Sequence, residues 1–298
     1  MKAIMVWLLL CLIWGTTWIF IKVGLKDLPP ISFAGVRFLF AVSVLLFIII
    51  WQKIELPKTQ GEWAVIAVTG ICQFFFNYGL VFWGEQYISS GLAAVLQAMI
   101  PAFGLILARV YIPEEKITLL KVASILFGVL GVALIFKEQL YLGGWLSLFG
   151  SLAVVSGAFM AAYSNVLIKT YGNNNHPASL VFCQMLVGLI PLLITGFIAE
   201  GSPLSFRWTK SAIICILYLA VVGSIIAFWL YYWLLGKILV TKAMMIALVT
   251  PVVAIIIDRV YLGEKLEFQT LAGGLLVLLS VGLIVIKPLQ CAENSSVV

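Results

Sequence analysis

Trp14, Trp18 and Lys22 stand four residues apart. On an α-helix that spacing stacks them into one stripe, two indole rings leading to a cation. The stripe suits a carboxylate-bearing solute, which the ammonium attracts while the rings shed water from its apolar body. It also suits an interfacial anchor, with Lys22 snorkelling outward and the tryptophans in an aromatic belt. Gln73 and Asn77 repeat the four-residue spacing and bring two amides to one face, with Tyr78 beside them. Gln97 precedes Pro101 by one turn, and a proline lacks the N–H that would bond the Gln97 carbonyl; Pro251 does the same to Ala247. Freed carbonyls and amides either line a pathway or tie helices together. Tyr163, Trp229 and Tyr232 supply further aromatic surface, for a cavity wall or for core and belt. Arg37 either locks helices through carbonyl acceptors or holds an anion.

Other chemistries are poorly served. There is no G-x-x-x-x-G-K-[ST] phosphate loop. The five cysteines, at 11, 72, 183, 215 and 291, show no CxxC spacing, so no metal is called for and apolar filling is their role. The single histidine, His176, sits in the polar stretch YGNNNHPA. No nucleophile–base pair stands out, and nothing calls for a cofactor. Asp and Glu are missing from the interiors of the apolar stretches; Glu85 is at one end and Asp258 near another. A proton relay wants buried titratable groups, so the pattern favours a facilitator or exchanger, with proton coupling through Lys22 or Glu85 left open.

These residues are set in a chain that is 63% hydrophobic and 10% charged, with mean hydropathy +1.17. Globular chains carry roughly 25% charge, and so apolar a chain belongs in lipid. Ten apolar stretches of roughly 18–24 residues can each cross a hydrocarbon layer about 30 Å thick. They fall near 4–24, 31–51, 63–83, 91–111, 119–136, 145–168, 178–199, 211–235, 241–262 and 270–287. Continuous apolar runs spell helices rather than a barrel of alternating strands. The first run has no small-x-small cleavage pattern and is rich in tryptophan, so it reads as a retained helix. The expected fold is an all-α polytopic membrane protein, with connections too short for a soluble domain.

The chain repeats itself. PAFGLILARVYIPEE begins at Pro101 and PVVAIIIDRVYLGEK at Pro251, an offset of 251 − 101 = 150. Trp83 and Trp233 share that offset; Lys22 and Lys169, Pro30 and Pro177, and Ser32 and Ser179 match at 147. Two units follow, 5–137 and 145–287, each with five spans. Five is odd, so the second unit enters upside down, the design of carriers that rock about a mid-membrane site. The shared endings place Arg109 and Arg259 at helix ends facing the dipole and lipid phosphates. Glu114 and Glu264 cap the following turn, pair with basic neighbours, or make gating contacts. At the place of Arg37 the second unit has Gln184, so the halves differ in charge.

Ten spans put both termini on one side. That side would hold Lys2, Lys53, Lys58, Arg109, Lys116, Lys121, Lys169, Lys237, Lys242 and Lys287, against Lys22, Lys26, Lys137, Arg207, Lys210, Arg259 and Lys265 opposite. Ten against seven places the termini in the cytoplasm. The net charge of +6 suits anionic lipid and implies no nucleic-acid partner. The pattern is compatible with a monomer and leaves the oligomeric state open.

IWGTTWIFIKVGLKDLPPISFAGVRF, from Ile13 to Phe38, with Trp14-Gly15, Lys22 and Arg37, resembles the opening of EamA-type members of the drug/metabolite transporter superfamily. YLAVVGSIIAFWLYYWLLGK, from Tyr218 to Lys237, and the P…E signatures of the fourth and ninth spans match as well. The resemblance covers nearly the whole chain. It implies ten helices in two inverted five-helix repeats, in the bacterial cytoplasmic membrane. It also implies export of small metabolites, amino acids or derivatives of the cysteine or O-acetylserine kind. A multidrug exporter of the same fold and a non-transporting sensor are the alternatives; a channel would more naturally repeat polar residues around an oligomeric pore.

Overall fold

The computed structural model describes residues 2–88, 90–135, 137, 144–172, 175–262 and 268–285. These form ten helical rods. The first half contributes α1 (Lys2–Gly24), α2 (Pro30–Gln52), α3 (Gln60–Gly84), α4 in two pieces (Ser90–Gln97 and Ile100–Tyr111) and α5 (Leu119–Ile135). The second contributes α6 (Trp145–Tyr171), α7 (Pro177–Glu200), α8 (Lys210–Leu235), α9 in two pieces (Val240–Met244 and Ile246–Leu262) and α10 (Phe268–Val285). Seven rods are long and apolar enough to cross a membrane, and α5, α9 and α10 contain shorter apolar helices. At 1.5 Å per residue, even the 17 residues of α5 cover about 25 Å.

The two halves pack by one rule. α2 lies against α7 and α5 against α10, each helix on its own counterpart. The most extensive of the remaining contacts come in matched pairs: α1 with α9 and α6 with α4, α3 with α6 and α8 with α1, α2 with α8 and α7 with α3. Exchanging the halves leaves this network unchanged. An irregularity is also shared. α3 widens into a π-helix at Ile71–Asn77 and α8 at Val221–Ile226, starting 221 − 71 = 150 residues apart. The breaks in α4 and α9, at 98–99 and at 245, form a second matched pair.

In lipid there is no hydrophobic force between helices, so close packing relies on small residues. A Cβ on Gly84 would lie 2.7 Å from the Gly150 carbonyl oxygen, joining α3 to α6. One on Gly70 would lie 2.6 Å from the Gln184 carbonyl oxygen, joining α3 to α7. Gly15 brings α1 onto α9, where a Cβ would strike Val253 at 2.4 Å.

Carboxylates from one half close helix N-termini of the other. Glu200, the last residue of α7, accepts from the Ile31 and Ser32 amides at 2.8 and 2.6 Å, capping α2. Glu115 is 1% exposed and accepts from the Val240 amide at 2.6 Å, the Thr241 amide at 3.4 Å and the Thr241 hydroxyl, capping α9. Lys121 adds a contact at 3.8 Å. The cap expected of Glu114 is made one residue later: Glu114 is exposed, because the turn after α4 swings it outward and Glu115 inward. Arg109 is exposed at the end of α4. The Arg259 side chain and Glu264 lie outside the described residues. Losing charge-assisted hydrogen bonds costs about 2–3 kcal/mol, so Glu115→Ala should lower the thermal midpoint of the detergent-solubilised chain by several degrees. Glu114→Ala should leave it within about 1 °C.

Candidate functional site

Between the halves lies a cavity of about 170 Å3, room for roughly a dozen water-sized groups. α1 presents Trp14, Thr17, Trp18 and Ile21 to it, and α2 presents Arg37. α3 adds Gln73, Asn77, Tyr78, Val81 and Phe82, and Glu85 follows from the turn beyond α3. α4 contributes Ala94, Gln97 and Ile100. From the second half come Ala161 and Asn165 on α6, Phe228 and Tyr231 on α8, and on α9 a run including Met244, Ala247, Thr250 and Pro251.

Arg37 is the cation of this cavity. Its side chain is 2% exposed, and its Nε donates to Ser224 Oγ at 2.9 Å while Nη2 donates to the Gly223 carbonyl at 3.2 Å. Both acceptors lie in the π-helical part of α8, where the widened turn changes the α-helical bonding pattern. Trp14 Nε1 points at the same Gly223 carbonyl at 3.4 Å. The guanidinium carbon sits 5.1 and 5.2 Å from the ring centres of Phe38 and Tyr78. Nη1 has no protein partner. In the matched place, Gln184 on α7 donates to Thr69, just ahead of the π-helix of α3.

Buried polar atoms are normally paired. Among the described residues, eight buried side-chain atoms lack a partner, and four belong to cavity residues: Arg37 Nη1, Gln73 Oε1, Asn77 Oδ1 and Glu85 Oε1. Gln97 spends its amide nitrogen on the Val154 carbonyl at 3.1 Å. Pro251 stands inside α9, and Thr250 Oγ1 reaches the Ala247 carbonyl at 3.4 Å. Trp14 packs on Phe228 and Tyr231, with ring centres 5.5 and 5.2 Å apart. The wall is therefore largely aromatic, and its residues carry one unpaired donor nitrogen and three unpaired acceptor oxygens.

Six sequence-expected site residues meet here: Trp14, Trp18, Gln73, Asn77, Tyr78 and Gln97. Four do not. Lys22 is exposed at the end of α1. A four-residue step turns about 40° on an α-helix, so by the eighth residue the stripe has rotated about 80° off the cavity. Ile21, seven residues from Trp14, takes the place on the wall. On α8 the cavity receives Phe228 and Tyr231 rather than Trp229 and Tyr232. The π-helix lies just upstream, and each extra residue in a turn rotates the following faces by about 100°. Trp229 instead meets the His176 ring edge-on at 5.6 Å. Tyr163 stacks with Phe159 and meets Tyr111 edge-on at 5.9 Å. Pro101 is buried beside the break in α4, and its neighbour Ile100 lines the cavity. Thr17, Glu85, Asn165 and Tyr231 were not singled out as cavity residues; an asparagine within an apolar helix was the available signal for Asn165.

A bundle of ten apolar helices, seven of which line a cavity between its halves with aromatic and polar residues, has the form of a membrane transporter. The chain belongs to the EamA-like transporter family, whose model matches residues 1–137 and again residues 148–286. The Bacillus subtilis (strain 168) uncharacterized transporter YoaV is 28% identical over 267 residues, covering 89% of this chain and 90% of its own. A probable amino-acid metabolite efflux pump of Salmonella typhimurium is 29% identical over 282 residues, 91% of this chain and 90% of its own. The Escherichia coli uncharacterized inner membrane transporter YedA is 31% identical over 276 residues, 90% and 86% of the two chains. A solved crystal structure shares the fold at TM-score 0.81, with 14% identity over 96% of this chain and 97% of its own.

Arg37→Lys keeps the charge and gives up the fixed fork that reaches Ser224 and Gly223 together. The loss of about 2 kcal/mol should appear as a drop of several degrees in the thermal midpoint. Ser224→Ala should lower it by less, because the Gly223 carbonyl remains.

Proposed function

We propose that this chain exports small amino-acid-like metabolites, of the cysteine or O-acetylserine kind, across the bacterial cytoplasmic membrane. One cavity between two five-helix units is exposed to each side in turn. The observation that carries the reading is the cavity itself, whose largely aromatic lining also includes residues with unpaired polar atoms: a guanidinium nitrogen of Arg37, the amide oxygens of Gln73 and Asn77 and a carboxylate oxygen of Glu85. A zwitterion with a short apolar body answers each of these groups. The naming of relatives as amino-acid metabolite efflux pumps points the same way. Matched π-helices and matched breaks beside the cavity supply places where the two units can flex alike. The units are the stretches 5–137 and 145–287, and the tally of basic residues puts both termini in the cytoplasm.

Counterflow in liposomes tests the reading, with amino acids, their esters and unrelated drugs as solutes. A carrier shows saturable uptake that preloaded solute accelerates; linear, unsaturable flux would overturn alternating access. Preference for drugs over every amino acid would assign the cavity to multidrug export. Trp18→Ala and Gln97→Ala should each raise the half-saturation concentration about three- to tenfold, for about 1 kcal/mol of lost contact, at unchanged membrane abundance. Lys22→Ala should stay within about twofold of the parent chain, since its side chain stands outside the cavity. Reporters fused at Lys2 and Lys287 should both read cytoplasmic; a periplasmic signal at either would overturn the orientation.

A further inference from the structure

Glu85 is a half-buried acid with one buried oxygen unpaired. It sits in the turn after α3, lines the cavity, and its Oε1 has no partner. Among the described residues, no ion pair joins it to a basic side chain. The charged and titratable groups around it are few. α2 brings Arg37, committed to α8 through two of its nitrogens. α1 carries Lys22, exposed and off the wall; α3 and α8 bring the phenols of Tyr78 and Tyr231. The cavity faces of α4, α6 and α9 carry no ionisable group. Burial holds the Glu85 carboxyl above the usual carboxylate range.

We propose that Glu85 is the cation site of the cavity, holding a proton when the cavity is empty and a cationic nitrogen when it is filled. Resting on the export reading above, this makes an amine-bearing solute and a proton compete for one carboxylate. The step balances: a neutral carboxyl meets an ammonium ion, the O–H bond breaks, the proton leaves to water, and a carboxylate–ammonium pair remains. One positive charge enters the cavity and one leaves it. A solute carried outward on Glu85 is then replaced by a proton, and export becomes proton exchange. A carboxylate-only solute has no claim on the site.

Two measurements on the purified full-length chain test this. The first needs no solute: infrared difference spectra from about pH 5 to about pH 8. A carboxyl band that titrates above the range of exposed acids should be present in the parent chain and lost in Glu85→Gln; survival of that band in Glu85→Gln would overturn the proposal. The second adds L-methionine, 3-(methylthio)propylamine or 4-(methylthio)butyrate, with calorimetry for binding and a pH dye for protons. The two amines should release about one proton per molecule bound at low pH, fading as pH rises through the carboxyl's titration, and the carboxylate-only probe should release none. Glu85→Gln should release no proton and bind both amines about tenfold more weakly, whereas Glu85→Asp should keep proton release. Amine binding to the parent chain without proton release would also overturn the proposal. A titrating band with none of the three probes bound would support the proton site and sink the amino-acid reading instead.

Discussion

A guanidinium buried in a membrane bundle must find its acceptors inside the protein, and Arg37 finds them in the widened turn of α8. A charge at the centre of a span costs about 2.5–3.5 kcal/mol on insertion scales. The Ser224 hydroxyl, the Gly223 carbonyl and two aromatic faces offset it. This one contact spans the two halves, shares the Gly223 carbonyl with the Trp14 indole and leaves Nη1 without a protein partner. Much of the site follows from it. The register of α8 downstream of the π-helix decides which aromatic residues reach the wall, and Tyr78 is held beneath the guanidinium by the same arrangement.

Around that contact the bundle is assembled from features of low chemical cost. Glycines let backbones touch where α3 meets α6 and α7, so the cavity walls come together without large side chains between them. Helix N-termini, whose first amides have no partner in their own helix, are closed by carboxylates reaching from the other half. Breaks in α4 and α9 let both helices change direction beside the cavity. The WG pair shows both halves of the design at once: Trp14 lines the cavity, while Gly15, next to it, admits α9 close against α1.

The spans were legible in the sequence because lipid leaves so little choice. Among the described residues, the ends of the expected helices lie within three residues of the observed ones, since apolar runs end where water begins; the expected ends at 136 and 287 lie outside the described residues. The repeat was legible for a related reason: proline, tryptophan and Arg-Val-Tyr fall at one spacing, and the π-helices fall at the same spacing without any letters that announce them. The cavity was legible in part. Trp14 and Trp18 were found by their four-residue spacing on a regular helix, and Gln73 and Asn77 reach the wall although they lie within the π-helix of α3. Lys22 was lost to the slow rotation of that stripe, and Trp229 and Tyr232 to the inserted turn of α8. Glu85 was named for proton coupling but not for the wall, because it lies past a helix end, where periodicity no longer says which way a side chain turns. Glu115 escaped for the same reason, its neighbour Glu114 having the repeated position.

The inequality between Arg37 and Gln184 makes the two halves complementary rather than interchangeable. Two first halves placed face to face would bring two guanidinium groups to the interface, and each would meet Gln73 and Phe74 where Gly223 and Ser224 now stand. Two second halves would bring none. Neither homodimer reproduces the present contact. Arginine and its acceptors are divided between the halves, so each half needs the other to complete the contact.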